Sequence, residues 1–245
     1  MSAVASVVFD YVPGPREYRL PVADALPERP GCGAMLVAPA RYGLAVGRLV
    51  ALHDESAIPP LEEAWPASAR DLTTHQTCRR EADEALAECR AMVGRHDLPM
   101  RLVGAFKALD GAQLTFFFTA PGRVDFRSLL REAVRYFRLP LRLEQISERD
   151  AARIIGGIGR CGRELCCCSW LADDLPVALR HARAQGLPAL PAQLSGQCAK
   201  LRCCLRYELD ADELAGERRR SRADGPVKTA SHHWLGESDD DPSWR

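Results

Sequence analysis

Short aliphatic runs broken by glycine and proline dominate the N-terminal part of the chain. Val7–Val8–Phe9, Met35–Leu36–Val37 and Leu44 through Leu52 are punctuated by Pro13–Gly14–Pro15, Gly31–Cys32–Gly33 and Tyr42–Gly43. This pattern predicts several short strands over residues 1–53, in a small barrel or twisted sheet. Residues 54–74, with Pro59–Pro60 and Pro66, read as a linker. The period then changes. Cys78, Ala82, Ala85, Leu86, Cys89, Met92 and Val93 recur at helical spacing, with Gly94 placed to stop the helix. Cys78 and Cys89 on that stripe are expected to pack as small hydrophobes, and Cys32 as a turn or packed cysteine.

Arg101 to Leu109 and Gln113 to Thr119 predict two strands around an Asp110–Gly111 hairpin turn. Asp125 is placed to cap a helix with the apolar stripe Phe126, Leu129, Leu130, Ala133, Val134 and Phe137. Leu141 to Ile146 alternates as another strand, and Glu148 to Ile155 reads as helical. The fold class expected is α+β. A small β-rich N-terminal module precedes a ferredoxin-like split α–β–β–α–β unit over residues 75–156 and a cysteine-rich metal-binding segment over residues 157–209. Residues 210–245, with Arg218–Arg219–Arg220 and Asp239–Asp240–Asp241 but few large apolar side chains, are expected to form a flexible polar tail.

The 33 basic and 33 acidic residues cancel, which argues against a nucleic-acid coat protein but allows a local basic face. No apolar run reaches the roughly 18–20 residues of a membrane span. Met1 to Phe9 lacks the basic start of a signal peptide, so a cytoplasmic chain without membrane insertion is expected. Arg127, Arg131, Arg135 and Arg138 share the polar face of the second helix, with Glu132 nearby. This is either a solvated face or a contact strip for phosphate or an acidic partner. No aromatic is expected to interleave there, so base stacking is not indicated.

Seven of the ten cysteines lie between Cys161 and Cys204. In a reducing cytosol such clustering favours metal or redox chemistry over disulfides. Gly159-Arg160-Cys161-Gly162-Arg163-Glu164-Leu165-Cys166-Cys167 and Gly196-Gln197-Cys198-Ala199-Lys200-Leu201-Arg202-Cys203-Cys204 both read G-x-C-(G/A)-(R/K)-x-x-C-C, displaced by 37 residues. Arg160, Arg163, Lys200 and Arg202 are expected to favour the thiolates that ligate metal. The glycines let backbone wrap closely around the sulfurs. In an extended strand, adjacent Cys166–Cys167 and Cys203–Cys204 point to opposite sides, which leaves one of each pair for the core. The spacing keeps iron–sulfur, zinc and redox thiols open, with His181 the nearby imidazole. Gly157 through Gly162 matches G-x-G-x-x-G but follows a helical stretch rather than a strand, which argues against a dinucleotide site.

Three segments resemble the YaaT/RicT family of PSP-one C-terminal domain proteins. They are Phe117 through Arg127, Arg149 through Gly159, and the two cysteine modules ending in Leu205-Arg206-Tyr207-Glu208. The resemblance covers most of residues 5–209. It implies a non-enzymatic regulatory subunit acting with two small partner proteins in a complex that carries iron–sulfur clusters, of the 4Fe–4S type. It further implies support of mRNA processing by the membrane-associated ribonuclease Y, linked to sporulation, competence and biofilm control. Carried over by position, the cluster ligands are Cys161, Cys166, Cys167, Cys198 and Cys203, with Cys204 as a further candidate and some ligands supplied by partner chains. Ala199 stands where the family usually has glycine. Cys168 adds a third consecutive thiol where a serine-like residue is typical, as a substitute ligand or a bystander. The rival reading is a zinc-stabilised nucleic-acid-binding module, with RNA contacted through the arginine strip.

Overall fold

The computed structural model describes residues 3–21, 30–54, 62–169, 171, 176–188 and 190–209; the tail expected over 210–245 lies outside the described residues. Strands β1 (Ala3–Phe9) and β2 (Val12–Leu20) form a hairpin, and β1 also pairs antiparallel with β4 (Gly43–Asp54). Strand β3 (Met35–Ala40) turns into β4 at Arg41–Tyr42, and β5 (Trp65–Pro66) pairs with β3, which completes the sheet order β2-β1-β4-β3-β5. The turn requires Gly43 on two counts. Its φ is 112°, and a Cβ there stands 2.8 Å from the Ala108 Cβ.

The expected linker is shorter than its proline content suggested, because Trp65–Pro66 joins the sheet and helix α1 (Ala69–Arg95) already begins at Ala69. A capping box starts that helix. Ser68 Oγ accepts the Asp71 N–H at 3.2 Å, and Asp71 Oδ2 accepts the Ser68 N–H at 2.9 Å. Gly94 does not end it. The helix runs to Arg95, with His96 as C-cap and Asp97 left-handed at φ 48°.

Strands β6 (Arg101–Lys107) and β7 (Leu114–Thr119) form the expected hairpin, and helix α2 (Arg127–Phe137) crosses over to β8 (Leu141–Gln145), parallel to β7. Every residue of β7 is buried, because its two faces meet different layers. Phe116 and Phe118 pack with Leu86, Cys89 and Met92 of α1 and Leu129 and Ala133 of α2. Phe117 packs with Val7, Tyr42 and Leu49 of the N-terminal sheet. The α–β–β–α–β order is as expected, and the face without helices is covered by a second sheet. Met1–Pro176 together with Ser195–Arg202 form one compact unit, so the β-rich and α+β parts share a core.

Two details of α2 depart from expectation. Phe126 occupies the N-cap, and Asp125 accepts the Arg127 N–H at 3.1 Å one position earlier. Val134, assigned to the apolar stripe, is 42% exposed. Helix α3 (Glu148–Ile155) follows, with Ser147 Oγ accepting the Asp150 N–H at 3.2 Å and Gly156 as C-cap. Short helical turns complete the chain: α4 (Cys166–Ser169), α5 (Leu179–Ala184), α6 (Pro191–Leu194) and α7 (Cys204–Tyr207). Val177–Leu194 and the chain from Cys203 onward form the second unit, whose described core includes His181, Leu194 and Leu205. Among the described residues no helix is long and apolar enough to cross a membrane.

Candidate metal centre

The repeated sequence is a repeated backbone. Gly159 N–H donates to Arg163 O at 2.7 Å and Gly162 N–H to Gly159 O at 2.9 Å. In the second copy Gly196 N–H donates to Lys200 O at 2.8 Å and Ala199 N–H to Gly196 O at 3.1 Å. One antiparallel bridge closes each loop, Ile158 with Glu164 and Ser195 with Leu201. The left-handed residue falls at the same place in both, Gly162 at φ 76° and Ala199 at φ 57°. Each leading cysteine folds back over its loop. A Cβ on Gly159 lies 3.4 Å from Cys161 Sγ, and one on Gly196 lies 3.7 Å from Cys198 Sγ.

The adjacent cysteines do not lie in strands. Cys166, Cys167 and Cys168 form the turn α4, while Cys203 is the N-cap of α7 and Cys204 its first residue. Successive side chains on a helical turn diverge by about 100° rather than 180°. The adjacent thiols are therefore not directed to opposite sides as an extended strand would direct them. All five are half-buried, as is Cys198, whereas Cys161 is exposed.

Part of the two modules converges within the first unit. Gln197 Nε2 donates to Ile158 O at 3.3 Å, which ties the second loop to the first. The Cys167 and Cys198 thiols are close enough for Cys198 to push the Cys167 pKa upward. Cys203 and Cys204 belong to the second unit. The donor set is all thiol in the first unit, suited to a soft metal or a cluster. However, among the described residues no three His, Cys, Asp or Glu side chains are grouped to hold a metal ion. The residues fit such a group by chemistry and by pairwise approach, without an assembled coordination sphere.

The electrostatics correct one expectation. Burial pushes the Cys167 thiol up to about 11, the neighbouring Cys168 adds to the rise, and Arg153 opposes it without prevailing. Burial also raises Cys168. A cation acting on both thiols is Arg153 of α3, which the sequence reading missed. Arg153 Nε donates to Cys167 O at 2.8 Å, and its Nη1 pairs with Asp150 Oδ1 at 3.2 Å, which fastens α4 to α3. Cys168 Sγ donates to Arg153 O at 3.5 Å, so this extra thiol contacts the C-terminal carbonyls of α3. A cavity of about 320 Å³ beside Cys167 and Cys168 is also lined by Arg48 and Arg79. Its cations come from β4, α1 and α3, elements far apart in sequence, so no local motif announces them.

His181 is fully buried in the second unit, with Nδ1 accepting the Ala178 N–H at 3.2 Å. Arg127, Arg131, Arg135 and Arg138 are exposed along α2, as expected, and Arg127 is tied to Asp125 at 2.7 Å. Tyr136 beside them is 57% exposed, contrary to the expectation of no exposed aromatic there.

Comparison with known proteins adds family identity to this geometry. Residues 65–146 match the PSP1 C-terminal conserved region, and residues 176–217 match the third domain of PSP1-like proteins. Over 177 residues the chain is 37% identical to Stage 0 sporulation protein YaaT of Bacillus subtilis (strain 168), covering 72% of this chain and 64% of that relative. The chain thus spans less than two thirds of the relative's length. No solved structure matches it. The two matched regions and the extended identity to YaaT place the chain in the YaaT/RicT family of PSP1 C-terminal proteins.

Proposed function

We propose that this protein is a non-enzymatic regulatory subunit whose paired cysteine loops contribute ligands to an iron–sulfur cluster, of the 4Fe–4S type, completed by partner chains. In this reading it works with two small regulatory proteins in a cytoplasmic complex that modulates ribonuclease Y-dependent mRNA processing, and, where those pathways exist, sporulation, competence and biofilm control. The relationship to a stage 0 sporulation protein supports the regulatory part. The observation that carries the metal part is the duplication of one hydrogen-bonded loop, with Cys161 and Cys198 at equivalent positions. The ligands from the first unit are Cys161, Cys166, Cys167 and Cys198. Cys203 and Cys204 are the counterparts of Cys166 and Cys167 in the sequence repeat.

When bound, a cluster supplies a cross-link whose binding free energy adds to folding or association, and one that oxidants and chelators can remove. The chain's own residues prepare for it. Gly159 and Gly196 leave room beside the leading sulfurs, and Arg153 holds α4 in register. Cys168, donating to backbone carbonyls, serves as a positioning residue rather than a ligand. Because burial pushes the Cys167 thiol up to about 11, ligation there releases a proton.

The test is anaerobic purification of the full chain, alone and co-expressed with its two partners, with iron, sulfide and zinc quantified and the visible spectrum recorded. Iron and sulfide in equal amounts, reduced in C167S and C198S and retained in C32S, are expected. A colourless complex with stoichiometric zinc refutes the cluster and favours the zinc-stabilised alternative.

A further inference from the structure

We propose that the outward face of α2 is a binding surface for single-stranded RNA. Arg131 and Arg135 lie one turn apart on α2, about 6 Å along the axis, Arg138 is its left-handed C-cap at φ 54°, and all three are exposed. Among the described residues none of them has a carboxylate within ion-pair distance. Glu132 is the acidic residue of α2, and it is occupied elsewhere. Arg95 Nη2 holds one of its oxygens at 2.5 Å and His96 Nε2 the other at 2.6 Å. Glu132 is therefore held toward the end of α1 and is ion-paired there rather than with the strip.

Tyr136 and Val134 of the same helix are 57% and 42% exposed. The Tyr136 ring packs edge-on against Phe137, with centroids 5.0 Å apart and planes at 82°. This contact leaves much of the ring open to solvent. Planar guanidinium groups bind phosphates in a bidentate manner, and an exposed ring is a platform on which an unpaired base stacks. Free guanidinium charge and an exposed ring on one helix match a single strand, which offers both phosphates and unpaired bases. The proposal rests on α2 alone, and it stands or falls independently of the metal assignment.

Fluorescence anisotropy of the full chain with a labelled oligouridine tests it. Replacing Arg131, Arg135 and Arg138 with Gln is expected to weaken binding at least about tenfold at low salt. It should also flatten the slope of log K against log salt by about 2, the value for three released counterions on a single strand. Y136A should weaken binding about fivefold or more, with an unchanged slope, and Y136F should retain it. R80Q, at an exposed arginine of α1 away from the strip, should bind as wild type. If the triple variant loses its circular dichroism, R135Q alone still reports, with a slope change of about 0.7. Failure of the wild-type chain to bind, or unchanged affinity and slope in the variants, overturns the proposal. So does loss of an acidic protein partner from the triple variant while RNA affinity is unchanged.

Discussion

The two loops differ at one position in a way that isolates backbone strain. Gly162 and Ala199 occupy equivalent left-handed positions, at φ 76° and 57°. A Cβ at Gly162 meets nothing within 4 Å, and Ala199 is exposed, so neither exchange alters packing. An L-residue held left-handed costs about 1–2 kcal/mol. Glycine gives back about 0.5–1 kcal/mol through its larger freedom in the unfolded chain. A199G should therefore stabilise the second loop by about 0.5–1 kcal/mol, and G162A should destabilise the first by a similar amount. Amide hydrogen exchange on the metal-free full chain reads this directly. The Gly196 N–H, bonded to Lys200 O at 2.8 Å, should exchange about two- to fivefold more slowly in A199G. The Gly159 N–H, bonded to Arg163 O at 2.7 Å, should exchange about two- to fivefold faster in G162A. If A199G leaves Gly196 exchange unchanged or faster, and G162A leaves Gly159 unaffected, the two loops do not share the strained geometry described above.

Three further outcomes follow from the packing and electrostatics. F117A removes a fully buried ring that lies 5.0 Å from Tyr42 and 5.5 Å from Tyr11, so it should cost about 3–5 kcal/mol. That corresponds to a fall of roughly 6–20 °C in melting temperature by scanning calorimetry, with F117L falling less; a negligible shift refutes the shared core. S68A removes the α1 cap and should cost about 1 kcal/mol in urea unfolding. Hydrogen bonds from Ser68 lower the Asp71 pKa, so that contribution is full above the ordinary carboxylate range and is lost as pH falls through the depressed value. The acid limb of the stability profile should accordingly be shallower in S68A than in wild type. At neutral pH, iodoacetamide should modify exposed Cys32 and Cys161 before Cys89 and Cys167, whose thiols burial pushes up to about 11. Mass spectrometry showing Cys89 alkylated first contradicts that assignment.

The site was partly legible and partly hidden, for reasons that particular residues make plain. Cysteine identity and spacing are local properties, so the paired loops are visible in the sequence itself. Arg153 did not, because a helix arginine in an i,i+3 pair with Asp150 looks like ordinary surface charge until α4 lies against it. The Cys167 and Cys168 thiols went the other way from expectation for a related reason. Half-burial of Cys167 depends on what packs around it, which flanking residue types do not reveal. Tyr136 was likewise hidden, since helical periodicity places it at the edge of the apolar stripe and only the packing of α2 leaves it outside.

Hydrophobic periodicity and turn chemistry by themselves determined the helix carrying Cys78 to Val93, the Asp110–Gly111 hairpin and the repeated cysteine loops, since each depends on contacts only a few residues apart. Tertiary structure alone decided that Trp65–Pro66 completes a sheet, that Phe117 joins two layers, and that Gln197 reaches Ile158. Those outcomes depend on which distant segments exclude water together, and a linear pattern carries no record of that partner.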